Sequence, residues 1–466
     1  MAAYLMRKAA YFLLLTAILS FSCNKESDDV TPTTDAQIYS VKITGDTLIV
    51  AALNANVKFT IDQINNQIYN KDSLAFGTKV GMVKCVMNTK DASQRLFYPD
   101  PVNFPDSVIS LTGNDSIDLS KRAKIKIVAS DGVTSKTYDI WTNTYSIKAD
   151  SFVWSRMSEQ IVVGNVERQR TLLMPDSVMH SYIKTPTGFE LYASHISDGA
   201  AWTKREMTNF PSNAKVEFMP QSAASEMVYV ADTSGELYQS ADGLAWERAK
   251  DESGANLQCS VKTLLGFLGN NLELVIGAQD VDLLATYSPA NGQVTINEPL
   301  PEGFPVGGFA SVGYKKDYRH RLLLVGGENN SGAILETSWM KTENQSWVKL
   351  TPGNFTISAR RGAVCVPYDN KLMLIGGLER DSIAANNDIY FSLDSGLSWV
   401  AANDSLQVMP VGFAAREKAS VFVDNKNYVY LVGGESHTSK LVENNKQRES
   451  KWTTDVWRGR IHRLSK

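Results

Sequence analysis

Three stretches of this 466-residue chain place charged side chains within two residues after a pair of glycines. They read R-L-L-L-V-G-G-E from Arg321 to Glu328, K-L-M-L-I-G-G-L from Lys371 to Leu378, and Y-V-Y-L-V-G-G-E from Tyr428 to Glu435. Glu328, Asn329, Glu379, Arg380, Glu435 and His437 follow the Gly pairs. Arg360, Arg361 and Arg416 lie upstream, and Arg361 and Arg416 each stand eight residues before the Asp-Asn turns at Asp369 and Asp424. Planar guanidinium groups suit the carboxylates of acidic sugars or of acidic protein segments. Two carboxylates such as Glu328 and Glu435 could instead work as the acid and base of a glycosidase if their separation is right. His437 offers a further acid/base group. The bland use of the same residues, in which Arg and Glu pair with each other, stays open beside these.

The elements that must position these side chains repeat along the chain. Gly326, Gly376 and Gly433 are 50 and 57 residues apart, each closing an apolar strand where neighbouring backbones crowd near an axis. The motif resembles the kelch repeat and the kelch-like propeller of galactose oxidase. In such a blade the residues after the Gly pair and those entering the innermost strand share one mouth. The resemblance implies that Arg361, Arg380 and Arg416, with Glu328, Glu379, Glu435 and His437, line that mouth and bind ligand, as kelch propellers bind acidic segments through Arg. Weaker copies occur at L-E-L-V-I-G-A (Leu272 to Ala278), M-V-Y-V-A-D (Met227 to Asp232) and F-E-L-Y-A-S (Phe189 to Ser194), which brings the expected count to six blades. Outer-strand aromatics track them at Trp202, Trp246, Trp347 and Trp399, with one Trp-less blade around Val294. Asp455-Val456-Trp457 matches the third strand of a last blade whose outer strand is missing. The orphan strand 151–157 is expected to supply it and so remove an open sheet edge.

One outer hairpin carries a second signature. Ser392, Asp394, Gly396 and Trp399 fit S-x-D-x-G-x-x-W, which resembles the Asp-box of sialidase-like propellers, and S-D-G-A-A-W (Ser197 to Trp202) and A-D-G-L-A-W (Ala241 to Trp246) echo it. This is turn chemistry: Asp accepts from backbone N–H groups, Gly takes a positive φ, and Trp folds over the turn. A sialidase-like site would also need an F/Y-R-I-P motif ahead of the first blade, which the sequence lacks. Copper chemistry of the galactose-oxidase kind needs His, Tyr and Cys converging on the metal, and His180, His195, His320, His437 and His462 show no such arrangement. No metal and no cofactor is expected.

Between Gln37 and Tyr145, short alternating apolar runs such as 47–51, 57–61 and 125–129 are broken by Gly, Asn, Asp and Pro, which reads as an antiparallel sandwich over 37–147. The hairpin from Ile125 to Trp141, turning at Asp131-Gly132, resembles the last hairpin of the immunoglobulin-like modules that follow the lipid anchor in many bacterial surface lipoproteins. That implies a spacer or stalk.

At the other extreme of the chain, Arg7 and Lys8 precede an apolar run from Ala9 to Phe21 that ends at Ser22-Cys23. Residues 1–22 resemble a lipoprotein signal peptide, which implies that Cys23 is lipidated and that 23–36 is a tether. The acidic N-K-E-S-D-D that follows resembles the tag sending some lipoproteins to the outer cell surface; a periplasm-facing anchor is the alternative. Cys85, Cys259 and Cys365 have no partners at metal-ligand spacing and are expected as reduced core residues in strands. With 47 basic against 50 acidic residues, no global field argues for nucleic acid. The expected protein is all-β: an immunoglobulin-like β-sandwich followed by a six-bladed kelch-type β-propeller. Its expected role is non-catalytic binding of a glycan or an envelope protein at the propeller mouth, with a glycoside hydrolase or lyase acting on acidic polysaccharide as the alternative.

Overall fold

A computed structural model describes residues 31–44, 58–78, 80–221, 227–351, 357–403, 406–442 and 445–463. Cys23, the apolar run before it, most of the tether and the expected strand at 47–51 fall outside the described residues. The chain divides into two compact units between Lys148 and Ala149.

Among the described residues the first unit is built from two sheets. A three-stranded sheet joins Ile38–Thr44, Met82–Thr89 and Asn114–Asp118, all antiparallel. A six-stranded sheet has Gln67–Asn70, Ser135–Trp141 and Ala123–Val128 at its centre, the first two running parallel. Alternation in Ala123–Val128 and Met82–Thr89 turns Ile125, Ile127, Val83 and Cys85 inward, and they meet Ile38, Phe97 and Tyr138 in one core. At the 131–132 hairpin, Asp131 Oδ1 accepts from the N–H groups of Val133 and Thr134 (both 2.9 Å), while Gly132 holds φ 72°.

Among the described residues the second unit holds six sheets, and each has the shape that a blade requires. The first runs Arg168–Leu173, Val178–Thr185, Gly188–His195, Thr203–Arg205 from inside to outside. The second has three regular strands, and its innermost place is taken by a short 3-10 turn at Val216–Phe218. The third and fourth are regular four-stranded antiparallel sheets, 260–299 and 310–350. The fifth carries Lys371–Glu379, and the sixth Val429–Val442. Phe189–Ser194 is the third strand of the first blade and no copy of the Gly-pair strand. The second strand there is Val178–Thr185, whose polar His180 and Ser181 and missing Gly pair hide its kinship. Trp202, Trp246, Trp347 and Trp399 each stand immediately before an outer strand, and Val294 occupies the outer strand of the third blade.

The sixth blade closes the ring. Ser151–Ser158 pairs antiparallel with Asn445–His462, from Ser151 opposite His462 to Ser158 opposite Val456. Phe152 is buried there, stacked on Trp154 at 4.6 Å and tilted against Tyr368 of the fifth blade at 5.6 Å.

The Gly pairs have a steric cause. A Cβ on Gly376 would lie 2.9 Å from the Arg416 carbonyl oxygen of the next blade, and one on Gly377 2.8 Å from that of Arg361. Both glycines also hold positive φ, so the sites reject side chains twice over.

The Asp-box is a closed hydrogen-bonded turn. Asp394 Oδ1 accepts from Ser392 Oγ (2.8 Å) and Ser398 N (2.9 Å), Asp394 Oδ2 from Ser398 Oγ (2.5 Å), and Ser392 Oγ from Gly396 N (2.8 Å). Trp399 is buried beneath it. Asp394→Ala removes three of these bonds from an exposed turn, so a loss of about 1 kcal/mol is expected in urea unfolding.

Candidate functional site

Three successive innermost strands bend at a left-handed residue: Gly308 (φ 58°), Gly362 (φ 63°) and Lys418 (φ 58°). Their backbones are linked around the centre, Gly362 N donating to Gly308 O and Lys418 N to Gly362 O, both at 2.6 Å. Only the third of these positions carries a side chain. A non-glycine residue held there costs on the order of 1 kcal/mol, and such outliers concentrate at functional sites.

The residues just before these bends meet the residues after the Gly pairs. Arg361 Nη1 lies 2.5 Å from Glu328 Oε1 of the preceding blade, and its Nε lies 3.3 Å from Glu417 Oε2 of the following one. Lys418 Nζ is 2.7 Å from Glu435 Oε2 and 3.6 Å from Glu417 Oε1. His437 Nε2 is 2.8 Å from Glu417 Oε1 and 4.0 Å from Glu435 Oε2. Trp452 lies 6.0 Å from the Lys418 ammonium, measured to its ring centre. Glu328, Glu435, Arg361 and His437 are therefore brought into one cluster. Glu417 and Lys418, which were not among the expected residues, complete it. Their signal was present in the sequence: they occupy the places of Arg361 and Gly362 one blade on.

Arg416 does not belong to this cluster. It is buried, and its guanidinium is consumed internally: Nη1 donates to Gly433 O at 3.0 Å and to Asp455 Oδ1 at 2.5 Å, Nη2 to Asp455 Oδ2 at 3.1 Å, and Nε to Ala414 O at 2.7 Å. Its counterpart is Arg360, fully buried, which grips the Gly376 carbonyl at 3.1 Å and Glu379 Oε1 at 3.1 Å. Counting eight residues back from the turns aligned Arg416 with Arg361 wrongly, because the inner strand before the turn is Val364–Tyr368 in one blade and Ser420–Val423 in the other, one residue shorter. Glu379 is held by Ser358, Arg360 and Asn386, and the exposed Arg380 donates to the Ile334 carbonyl. No contact joins either to the Arg361 cluster among the described residues.

Burial pushes the Glu435 carboxyl up, but the Lys418 ammonium outweighs it and holds the group below the usual carboxylate range. Burial likewise opposes the charge of Arg361, and Glu328 and Glu417 reverse the effect, so its guanidinium is held above its ordinary value. Neither change prepares a general acid. Glu417, Glu435 and His437 present one ligand atom each within 4.8 Å of one another, the geometry of a possible cation site. Lys418 and Arg361 already compensate those carboxylates, so a metal would have to displace a protein cation. Zinc is expected to leave the melting temperature of the protein unmoved in a thermal scan.

The cluster borders a cavity of about 830 Å³ enclosed by the innermost strands, with Arg170, Glu217, Phe309, Glu328, Arg361 and Lys418 among its lining residues. Elsewhere the thiols are inert: burial pushes Cys85 up to about 12, Cys259 up to about 11, and Cys365 up as well. Cys85 and Cys365 are buried strand residues, whereas Cys259 is only partly buried and stands one residue before its strand.

Among solved structures the chain is similar to that of YjhT, at 14% identity and a TM-score of 0.42, over 63% of this chain and 99% of that one. No curated protein matches it. Residues 31–142 match the N-terminal domain, and residues 148–465 the beta propeller domain, of the domain-of-unknown-function family DUF6242, and the chain belongs to that family.

Proposed function

We propose that this protein is a non-catalytic binding protein whose propeller holds a polar ligand, a glycan or a protein segment, at the mouth of the central cavity. The observation that carries the reading is the cavity's rim. It presents Arg361, Lys418 and Glu328, each partly open to solvent, as a ring of charge-assisted donors and acceptors above an enclosed space of about 830 Å³. Every carboxylate in the rim cluster already faces a cation: Glu328 and Glu417 face Arg361, and Glu435 faces Lys418. Glycoside hydrolysis needs one carboxyl kept protonated beside another left free as nucleophile or base, and this rim favours neither state.

The residues around Cys23 support a location at the cell envelope, with the lipidated cysteine as anchor and the first unit as an immunoglobulin-like spacer. The outer membrane, facing outward, fits the acidic N-K-E-S-D-D that follows.

The test is calorimetric titration of the chain from residue 24 onward with neutral and acidic glycans and acidic peptides, Arg361→Ala alongside, and product release followed in the same tubes. Binding that weakens tenfold or more in the variant, without product, is the expected result. Product release that stops with Glu435→Gln would sink the non-catalytic reading. Arg361→Ala also takes one cation away from the buried Glu417, which keeps His437 and Lys418 beside it, so the melting temperature of the variant is measured alongside and lost binding counts only where the fold is intact.

A further inference from the structure

The charged residues that line the central cavity differ in one respect. Glu328 pairs with Arg361, Lys418 with Glu435, and Glu217 with Arg168 at 2.7 Å. Arg170 pairs with no carboxylate among the described residues. Its Nε donates to the Met219 carbonyl at 3.0 Å, and the two Nη groups have no partner among those residues. Arg168 and Arg170 lie two apart on the innermost strand Arg168–Leu173 and so share one of its sides, yet only Arg168 is neutralised.

Arg170 keeps part of its surface open to the cavity but is otherwise surrounded by protein, and that burial pushes its guanidinium down to about 10. A cation in such surroundings without a counter-charge is unfavourable, and proteins rarely keep one unless something neutralises it. The lining of the cavity also contains apolar side chains, Met174, Phe218, Met219, Leu265 and Phe309 among them. A fork of free N–H donors in a chamber lined by both polar and apolar groups is the geometry that receives a planar oxyanion.

We propose that Arg170 is the anchor for an anionic group of the ligand, a carboxylate or phosphate bound bidentately inside the cavity, with the less polar remainder of the ligand against the apolar side chains of the lining. The proposal rests on the binding role proposed for this cavity and specifies the ligand's charge and the residue that reads it. Arg361 and Lys418, already paired with carboxylates, hold the ligand at the entrance, and Arg170 reads its charge inside.

The experiment titrates glucuronate, glucose, galacturonate, galactose and inorganic phosphate at millimolar concentration and constant ionic strength into the wild-type protein, Arg170→Met and Arg170→Lys, with affinity read by calorimetry. Arg170→Met keeps the apolar stem and removes an uncompensated charge, so its melting temperature should equal or exceed that of wild type. The expected result is saturable binding of an acid sugar or of phosphate, at least tenfold weaker in Arg170→Met and intermediate in Arg170→Lys, with the neutral sugars weaker than their acids throughout. Phosphate binding without the uronates assigns the site to a phosphorylated ligand, and uronate binding without phosphate to an acidic sugar. If neutral and acidic sugars bind alike, or Arg170→Met binds the anions as wild type does, the anchor is overturned and the binding role of the cavity survives. If no anion binds while a neutral sugar does, the outcome is the same. If none of the five binds, the anchor and the small-ligand form of the cavity reading fall together, leaving acidic peptides as the test of the broader role.

Discussion

Arg416→Ala should lower the unfolding free energy of the propeller by about 3–5 kcal/mol, because it strands the Asp455 carboxylate in the sixth blade without its cation. Asp455 would keep the neutral Trp457 indole N–H, at 2.7 Å, and the Thr453 hydroxyl but no cation, and the Gly433 carbonyl would lose a charged donor. Equilibrium urea unfolding would show the shift in midpoint. The double variant Arg416→Met with Asp455→Leu should recover most of the loss, since a buried ion pair is worth little more than well-packed apolar groups of similar volume. A single variant as stable as wild type would mean that the guanidinium is not committed to the fold.

The same pair predicts a pH response. Burial pushes the Asp455 carboxyl up, but the Arg416 guanidinium and the Trp457 indole outweigh it, so the folded value lies below the ordinary 3.8. A depressed carboxylate stabilises the folded state fully above the unfolded value and progressively less as pH falls through the folded one. Acid unfolding curves of wild type and the double variant should therefore lie close together above about pH 4 and separate as pH falls further, wild type losing the stability that the ionised Asp455 contributes and the double variant having no carboxylate there to lose.

Phe152→Ala has the second largest expected effect, about 3–5 kcal/mol, the range for removing a buried aromatic ring from a packed core. The ring sits between Trp154 and Tyr368, and its backbone N–H donates to the Leu406 carbonyl at 2.7 Å, so the substitution leaves a cavity where the first strand of the unit meets the last blade. Deleting 149–158 altogether should go further. The strand Asn445–His462 would lose its outer neighbour and present an open edge, for which the expected readout is concentration-dependent aggregation in light scattering. A monodisperse deletion variant would show that ring closure does not depend on this strand.

How much could be read without coordinates depended on how local each cause was. The Asp-box turns are local: Asp394, Gly396 and Trp399 act on backbone within a few residues, and their spacing states the geometry. The Gly pairs are nearly as legible, because crowding at an axis excludes Cβ in every blade and so repeats in sequence. Blades without that constraint were harder to place. The second strand of the first blade, Val178–Thr185, carries an ordinary alternation, and the neighbouring Phe189–Ser194 looked more like a repeat than it did.

The candidate site divides along the same line. The presence of Arg and Glu near the mouth was legible from the residues flanking the Gly pairs. Their partners were not. Whether Arg416 faces a ligand or Asp455 turns on a one-residue difference in inner-strand length, since each step along a strand reverses the side of the sheet. The isolation of Arg170 is more remote still, because it depends on which carboxylates the other blades bring to the cavity. The chain by itself determined that repeated strands must gather round a common axis and where their backbones touch; only the tertiary structure decided which charges across that axis are neutralised and which one stands without a counter-charge, because electrostatic partnership is set by distance in space and leaves no period in the sequence.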